Sequence, residues 1–217
     1  MSEFANSQSH ALRIRGLIDA GHDFWRRGWS LGTSSNYSVT VERDPLTLLL
    51  TGSGFDKGRL EPDHFVLVGD DGRALHAGHP KPSAETLLHV VLARSAGAGA
   101  GAVLHTHSVF GTVLSERHLA EGRVTISGYE MLKGLEGITT HDASIEIEIF
   151  PNTQDIAALA ALVEGRLLDP VQPLRHGFLI AGHGLYTWAA DLAGARRQVE
   201  VFEFLFEVVT QRRLLSA

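Results

Sequence analysis

The chain is predicted to fold as an α/β protein, a central, largely antiparallel sheet covered by helices. Two observations carry this: short apolar strands separated by tight glycine-rich turns, and long helical periodicities at both ends of the chain and between strands. From Ser9 to Arg27, Ile14, Leu17, Ile18, Gly21, Phe24 and Trp25 recur at spacings of three and four, which describes one buried helical face. Asn36–Glu42 alternates, with Tyr37, Val39 and Val41 opposite Ser38 and Thr40, as a half-buried strand does. Leu46–Thr51 is a short apolar strand ending in the turn Thr51-Gly52-Ser53-Gly54. Phe65–Val68 and Ala74–His76 flank Gly69-Asp70-Asp71-Gly72 and read as a hairpin.

A helix follows from Ser83 to Arg94, burying Leu87, Leu88, Val91 and Leu92, and Ala102–Ser108 is a buried strand. Ser144–Phe150 sets three isoleucines opposite Glu146 and Glu148, placing those two carboxylates on an exposed face. Asn152 or Thr153 can cap a helix running to Leu168, and Gly177–Ala181 is a strand closed by Gly182-His183-Gly184. A last helix, Ala190–Leu214, buries Leu192, Ala195, Val199, Phe202, Phe206 and Val209. No repeat or linker divides residues 1–217, so one domain is expected.

Composition narrows the function. The 217 residues carry 19 Lys and Arg against 25 Asp and Glu, a net charge of −6, with the cations scattered, which argues against a nucleic-acid partner. Without cysteine there is no disulfide scaffold, thiolate ligand or cysteine nucleophile. The polar stretch Met1–His10 lacks the apolar core of a signal peptide, and no apolar run nears the roughly 20 residues of a membrane span. A soluble, cytoplasmic protein with no membrane partner is expected.

Among the 12 histidines, His105-Thr106-His107 stands out, because strand alternation turns both imidazoles to one side. Alone, such a pair is more often two polar residues at a strand end. With His183, held between glycines after another buried strand, three imidazoles could share one ion and leave a position open. In His79-Pro80-Lys81-Pro82-Ser83-Ala84-Glu85, Ser83 is read as a helix cap. Glu85 then falls in the first turn, either as an ordinary stabilising charge or as a base or ligand beside a metal. Ser34-Ser35-Asn36 and the 51–54 turn offer amides and hydroxyls to an anion. The only lysines are Lys57 after the 51–54 turn, Lys81 in the 79–85 segment and Lys133 in Tyr129–Gly134; they read either as ordinary solvated lysines or as local positive potential for an anionic substrate. Glu130 lies in the segment Gly128–Gly134, too apolar and glycine-bounded for a freely solvated face. Its functional reading is a partly buried acid/base carboxylate with a pKa near neutrality, and on spacing alone a purely structural turn is the commoner outcome.

Taken together, SSNYS, LTGSGFDKG, KPSAET, VLHTHS, GYEMLKG, GITTH, NTQDI and AGHGLYTWA occur in the order and approximate spacing of the class II aldolase/adducin family, which the chain resembles over nearly its whole length. VLHTHS with the distant GHG carries the superfamily likeness. GYEMLKG with GITTH resembles the family's dehydratases, which act on a methylthio ketose phosphate in methionine salvage.

The resemblance implies the family's fold, with helical layers on both sides of the sheet, and a homotetramer with active sites near subunit boundaries. It also implies one zinc ion per subunit on His105, His107 and His183, an acid/base role for Glu130 and a catalytic role for Glu85. Asn36, Ser53, Gly54 and Ser83 are the implied phosphate contacts. Thr86, standing where some dehydratases have a substrate-contacting cysteine, and Lys81 are possible further substrate contacts. At Ala84, where a serine is common, only the backbone N–H could contribute. Two alternatives share the scaffold: a sugar-phosphate aldolase or epimerase, and a non-catalytic adducin-like interaction domain.

Overall fold

The computed structural model describes residues 3–95 and 100–215. In chain order the elements are α1 (Glu3–Arg26), β1 (Asn36–Arg43), β2 (Leu46–Thr51), β3 (Phe65–Val68), α2 (Thr86–Ser95), β4 (Ala102–Thr106), α3 (Val109–Arg117), β5 (Arg123–Ser127), β6 (Ser144–Phe150), α4 (Ile156–Leu167), β7 (Gly177–Ile180), β8 (Gly184–Ala189) and α5 (Leu192–Leu215). Among the described residues the eight strands form one sheet in the order β3-β2-β1-β4-β8-β7-β6-β5. Every neighbouring pair is antiparallel except β6–β7. The α/β class and the largely antiparallel sheet agree with the sequence expectation.

Strand alternation sorts the core into two faces. On one, Leu17, Ala20 and Phe24 of α1 and Ala195 and Val199 of α5 pack on Tyr37, Val39, Ala102 and Leu104. Farther along that face, Leu114 of α3 and Val201, Phe202, Leu205 and Phe206 of α5 cover β5, β6 and β7. On the other, Leu88, Val91 and Leu92 of α2 and Leu159, Ala160 and Val163 of α4 pack on Val103, Phe178, Ile180, Tyr186 and Trp188. The result is three layers, helices on both faces of the sheet.

Several expectations are corrected. α1 begins at Glu3 rather than Ser9, and Trp25 is 40% exposed rather than on the buried face. β1 is not half-buried along its length: its first four residues are covered on both faces, because α1 and α2 lie over the same strand. The second arm of the expected hairpin shrinks to a bridge between Val68 and Ala74. α4 starts at Ile156 on an Asp155 cap, whose carboxylate accepts from the Ala158 N–H at 3.0 Å; Thr153 instead accepts from the Asp155 N–H. Ser83 does not cap α2, which begins at Thr86, so Glu85 precedes the first turn. The Ser83 hydroxyl accepts from the Glu85 N–H at 3.2 Å in a local turn.

Three elements escape the sequence pattern. β8 is buried at all six positions, so it shows no alternation. α3 leaves Val109 and Val113 exposed, which spoils its apolar stripe. β5 buries only Val124 and Ile126.

Candidate active site and metal centre

Sheet register assembles the site. Asn36 of β1 pairs with His105 of β4, which pairs with Tyr186 of β8, so three polar side chains form a row on the α2/α4 face. β4 ends at Thr106, and His107 lies one residue beyond it, its N–H donating to the Trp29 carbonyl at 2.8 Å. The strand beside β4 is β8, which follows His183, rather than β7, which precedes it. Gly184 makes this approach possible: a Cβ there would lie 2.0 Å from the Thr106 carbonyl oxygen. Gly182, at φ +61°, turns the chain so that His183 faces β4. α3 braces the turn, Ser115 accepting from the Gly182 N–H at 3.1 Å and Thr112 donating to the His183 carbonyl at 3.2 Å.

The three imidazoles meet. The Nε2 atoms of His105 and His183 are 3.3 Å apart, and those of His107 and His105 are 2.7 Å apart. Nitrogens sharing a tetrahedral ion at 2.0–2.1 Å stand roughly 3.3 Å from one another, so the donor set fits a metal. His105 is fully buried, and its Nδ1 faces the Leu185 carbonyl at 2.8 Å. That carbonyl can only accept, so the proton resides on Nδ1 and the Nε2 lone pair points into the cluster. Burial, with the neighbouring rings adding to it, holds His105 well below the usual imidazole range and His107 down to about 2, keeping both rings neutral as ligands must be.

Glu85 adjoins the cluster and is 13% exposed. Its Oε2 accepts from the Asn36 amide at 2.7 Å and the Tyr186 hydroxyl at 3.0 Å. Its Oε1 lies 3.4 Å from His183 Nε2, and its Oε2 3.5 Å from His105 Nε2. Burial, reinforced by Glu85, pushes the Tyr186 phenol well above its ordinary value, so it remains a donor.

A cleft of about 280 Å³ opens over this group, and Asn36, Ser53, Gly54, Ser83, Ala84, Glu85, His107 and His183 all line it. The 51–54 turn is fastened to the 81–83 segment by the Ser53 N–H, which donates to the Lys81 carbonyl at 2.8 Å, and by a Gly52–Pro82 bridge. Lys57 also lines the cleft. Its ammonium donates to the Phe55 carbonyl at 2.7 Å, and burial lowers its pKa to about 8. A larger groove of about 810 Å³ along β5 and β6 holds no imidazole cluster. Its charges largely neutralise one another, Arg166 pairing with Glu148 at 2.9 Å and Arg123 with Glu146 at 3.4 Å. The smaller cleft is therefore the candidate site.

Not every nominated residue arrives there. Lys81 is exposed and outside the cleft lining; only its carbonyl helps, by anchoring Ser53. Thr86 is buried, its hydroxyl donating to the Ser83 carbonyl at 2.6 Å, and does not line the cleft. The side chain of Asn36 faces Glu85 with its nitrogen and His89 with its oxygen, leaving a single amide hydrogen for an anion.

Glu130 is the largest correction. It is 68% exposed rather than partly buried. Its carboxylate pairs with Lys133, whose hydrogen bond is the main cause of a lowered rather than raised pKa, and lies 3.3 Å from His141. The segment's apolar residues do not enclose it: Leu132 is buried, whereas Met131 is 37% exposed. β5, which leads to Glu130, lies four strands from β4, about 19 Å at 4.8 Å per strand. It also runs antiparallel to β4, so its exit is at the opposite end of the sheet from the histidines.

The sequence reading missed His89, Tyr186 and the placement of Asn152, Thr153 and Gln154 along the cleft. His89 follows Glu85 by one helical turn, a spacing that could have revealed it.

Comparison with known proteins agrees with this architecture. A family model described as Class II Aldolase and Adducin N-terminal domain matches residues 15–210. A protein of Pseudomonas aeruginosa named methylthioribulose-1-phosphate dehydratase is 49% identical over 191 residues, 88% of this chain and 90% of its own length. A protein of the same name from Pseudomonas savastanoi pv. phaseolicola is 47% identical over 197 residues, covering 91% and 93%. Among solved structures, an L-fuculose 1-phosphate aldolase superposes with a TM-score of 0.76 at 20% identity, covering 94% of this chain and 88% of that one. The corresponding enzyme of Thermus thermophilus gives 0.73 at 22%, covering 95% and 98%. The histidine-bearing sheet and the match across residues 15–210 lead to one conclusion: the chain belongs to the class II aldolase and adducin N-terminal domain family.

Proposed function

We propose that this chain is a zinc-dependent dehydratase converting 5-methylthioribulose 1-phosphate to 2,3-diketo-5-methylthiopentyl 1-phosphate in methionine salvage, working as a cytoplasmic homotetramer. The observation that carries the reading is the meeting of three imidazole nitrogens beside Glu85, with His107, His183 and Glu85 lining a polar cleft. Relatives 47–49% identical that bear the dehydratase name support the choice of reaction.

His105, His107 and His183 would hold the ion, and three imidazoles with an open side suit zinc. When bound, such an ion supplies Lewis acidity, stabilising negative charge on the substrate's ketone oxygen. The Ser53, Gly54 and Ser83 turns, with the Lys57 ammonium, would seat the phosphate and leave carbons 2 to 4 beside the histidines. Asn36 and Tyr186 hold Glu85 as a fixed carboxylate beside the reacting carbons.

Loss of water needs one proton removed from carbon 3 and one delivered to the hydroxyl leaving carbon 4. An ionised Glu130 can do both, taking the first proton and handing it to the departing hydroxyl, after which the enol ketonises. Its position at the far end of its own sheet requires that it serve the cleft of a neighbouring copy. Mixing two inactive variants, Glu130→Gln and His107→Ala, under conditions that let subunits exchange should then restore part of the turnover. No recovery would count against shared sites.

The decisive assay incubates the ketose phosphate with protein, with and without chelator. Diketone formation abolished by chelator and restored by zinc is expected. Triose phosphate in place of diketone would favour the aldolase alternative, and no product would overturn the reading.

A further inference from the structure

We propose that His89 is a positioning residue of this site: acting through Asn36, it fixes which oxygen of Glu85 is committed to the Asn36 and Tyr186 donors and which is left without them beside the histidine cluster. The inference rests on Glu85 taking part in the proposed reaction. It starts from a buried line of four side chains. The Ser38 hydroxyl lies 2.8 Å from His89 Nδ1, His89 Nε2 hydrogen-bonds the Asn36 Oδ1, and the Asn36 nitrogen donates to Glu85 Oε2 at 2.7 Å. Ser38, Asn36 and His89 are each no more than 5% exposed.

The direction of every bond follows from its last member. The Glu85 carboxylate oxygen accepts, so the Asn36 nitrogen faces it and the Asn36 carbonyl oxygen must face His89. A carbonyl oxygen only accepts, so the His89 proton is on Nε2. Nδ1 is then an acceptor and takes the Ser38 hydroxyl proton. Burial lowers the His89 pKa to about 4, so the ring is the neutral form that this pattern needs. A rotated Asn36 amide would set two carbonyl-type oxygens against each other at Glu85, and the His89 N–H forbids that rotation.

The consequence lies at Glu85. Asn36 and Tyr186 both donate to Oε2, which also lies 3.5 Å from His105 Nε2; Oε1, 3.4 Å from His183 Nε2, takes neither of these bonds and is the oxygen left to act on a ligand over the cluster. The His89 ring meets Tyr186 edge-on with centroids 5.7 Å apart, a contact any aromatic ring could make, so packing does not single out an imidazole. The helix's neighbouring inward positions are Leu88, Val91 and Leu92, and burying a polar ring among them costs free energy unless its hydrogen bonds are met. Glu85 stands immediately before α2 and His89 one turn into it, and Asn36 of β1 bridges the two.

A double-mutant cycle on the zinc-loaded enzyme tests this. The bond that Asn36 donates to the charged Glu85 is worth about 1.5–3 kcal/mol, so releasing Asn36 by His89→Leu should lower kcat by up to about 10- to 100-fold while KM changes by less than about threefold. His89→Gln, which keeps an N–H donor near Nε2, should recover most of the loss. In a Glu85→Gln background His89→Leu should cost less than about threefold, because the effect passes through Glu85. Equal losses in both backgrounds, or a loss in KM alone, would overturn the proposal.

A second readout does not need turnover. Nitrogen-15 spectra of the intact protein should show His89 as the Nε2–H tautomer, and an Nδ1–H ring would overturn the proposal even if His89→Leu failed to fold. A parent enzyme that left the ketose phosphate untouched would instead sink the dehydratase reading, and the spectrum would still decide the His89 orientation.

Discussion

The two carboxylates that the sequence nominates live under opposite conditions. Glu85 is 13% exposed, accepts two hydrogen bonds from buried donors and sits within 3.5 Å of two imidazoles. Glu130 is 68% exposed, pairs with a lysine on its own turn and stands at the far end of the sheet. The contrast teaches that sequence motifs of one kind can end in opposite surroundings: the Glu85 carboxylate is enclosed with the histidines, whereas the Glu130 carboxylate is solvated, and under the proposed function only a neighbouring copy could give it a partner. A group enclosed by its own fold is preorganised, whereas a group on the surface gains its environment only by assembly.

The widest test of that contrast removes a histidine from the enclosed side. His107→Ala should lose bound metal and essentially all turnover, checked by metal analysis and the diketone assay; full metal occupancy would break the ligand set. Next in size, Glu130→Gln should lower kcat by about 10²–10⁴, the usual worth of a positioned acid/base group, with metal content unchanged. Near-parental turnover would leave Glu85 as the acid/base group and erase the difference between the two carboxylates.

Lys57 sharpens the comparison by pH. With its pKa lowered to about 8 by burial, the ammonium is charged below that value and neutral above it. The kcat/KM for the phosphorylated substrate should therefore fall as pH rises through about 8, and Lys57→Met should lose about tenfold and that alkaline limb together. An unchanged limb in the variant would place the phosphate elsewhere.

The smallest effect on activity is expected at Glu203 of α5, a third carboxylate, buried beneath β4 and accepting from Thr106 at 3.0 Å. Desolvation raises its pKa to about 7, above the ordinary 4.5 of the unfolded chain. Its protonated form is favoured in the fold, so its contribution to stability is full below about 4.5 and declines as pH rises toward 7. The total is about 3 kcal/mol at 1.36 kcal/mol per pKa unit. Denaturant titrations at pH 5 and pH 8 should show that slope in the parent and a flatter one in Glu203→Gln.

Much of this arrangement was legible in the residues. Ile14, Leu17, Ile18 and Phe24 gave α1 by period, and the Ser144–Phe150 alternation gave β6 with the bounds observed. His105 and His107 were readable because a strand sends alternate side chains the same way. His183 was readable because glycines bracket it. What stayed hidden was of two kinds. β8 is covered on both faces, so its sequence carries no alternation to read. The surroundings of Glu130 were misjudged because apolar neighbours in sequence are not neighbours in space: its turn sends Leu132 inward and the carboxylate outward. The His89 line was invisible for a similar reason, since Ser38 and His89 are 51 positions apart and meet only once α2 lies across β1.

The alternation of β4 has one more consequence. His105 faces the α2 layer and Thr106 faces α5, so sliding this strand by a single position would exchange imidazole for hydroxyl throughout the centre. An ion held there binds only the correctly paired sheet, and its affinity adds to the free energy separating that pairing from any slipped one. If zinc is that ion, the melting temperature should climb with its free concentration, and the metal would then proofread strand alignment as well as serve the proposed chemistry.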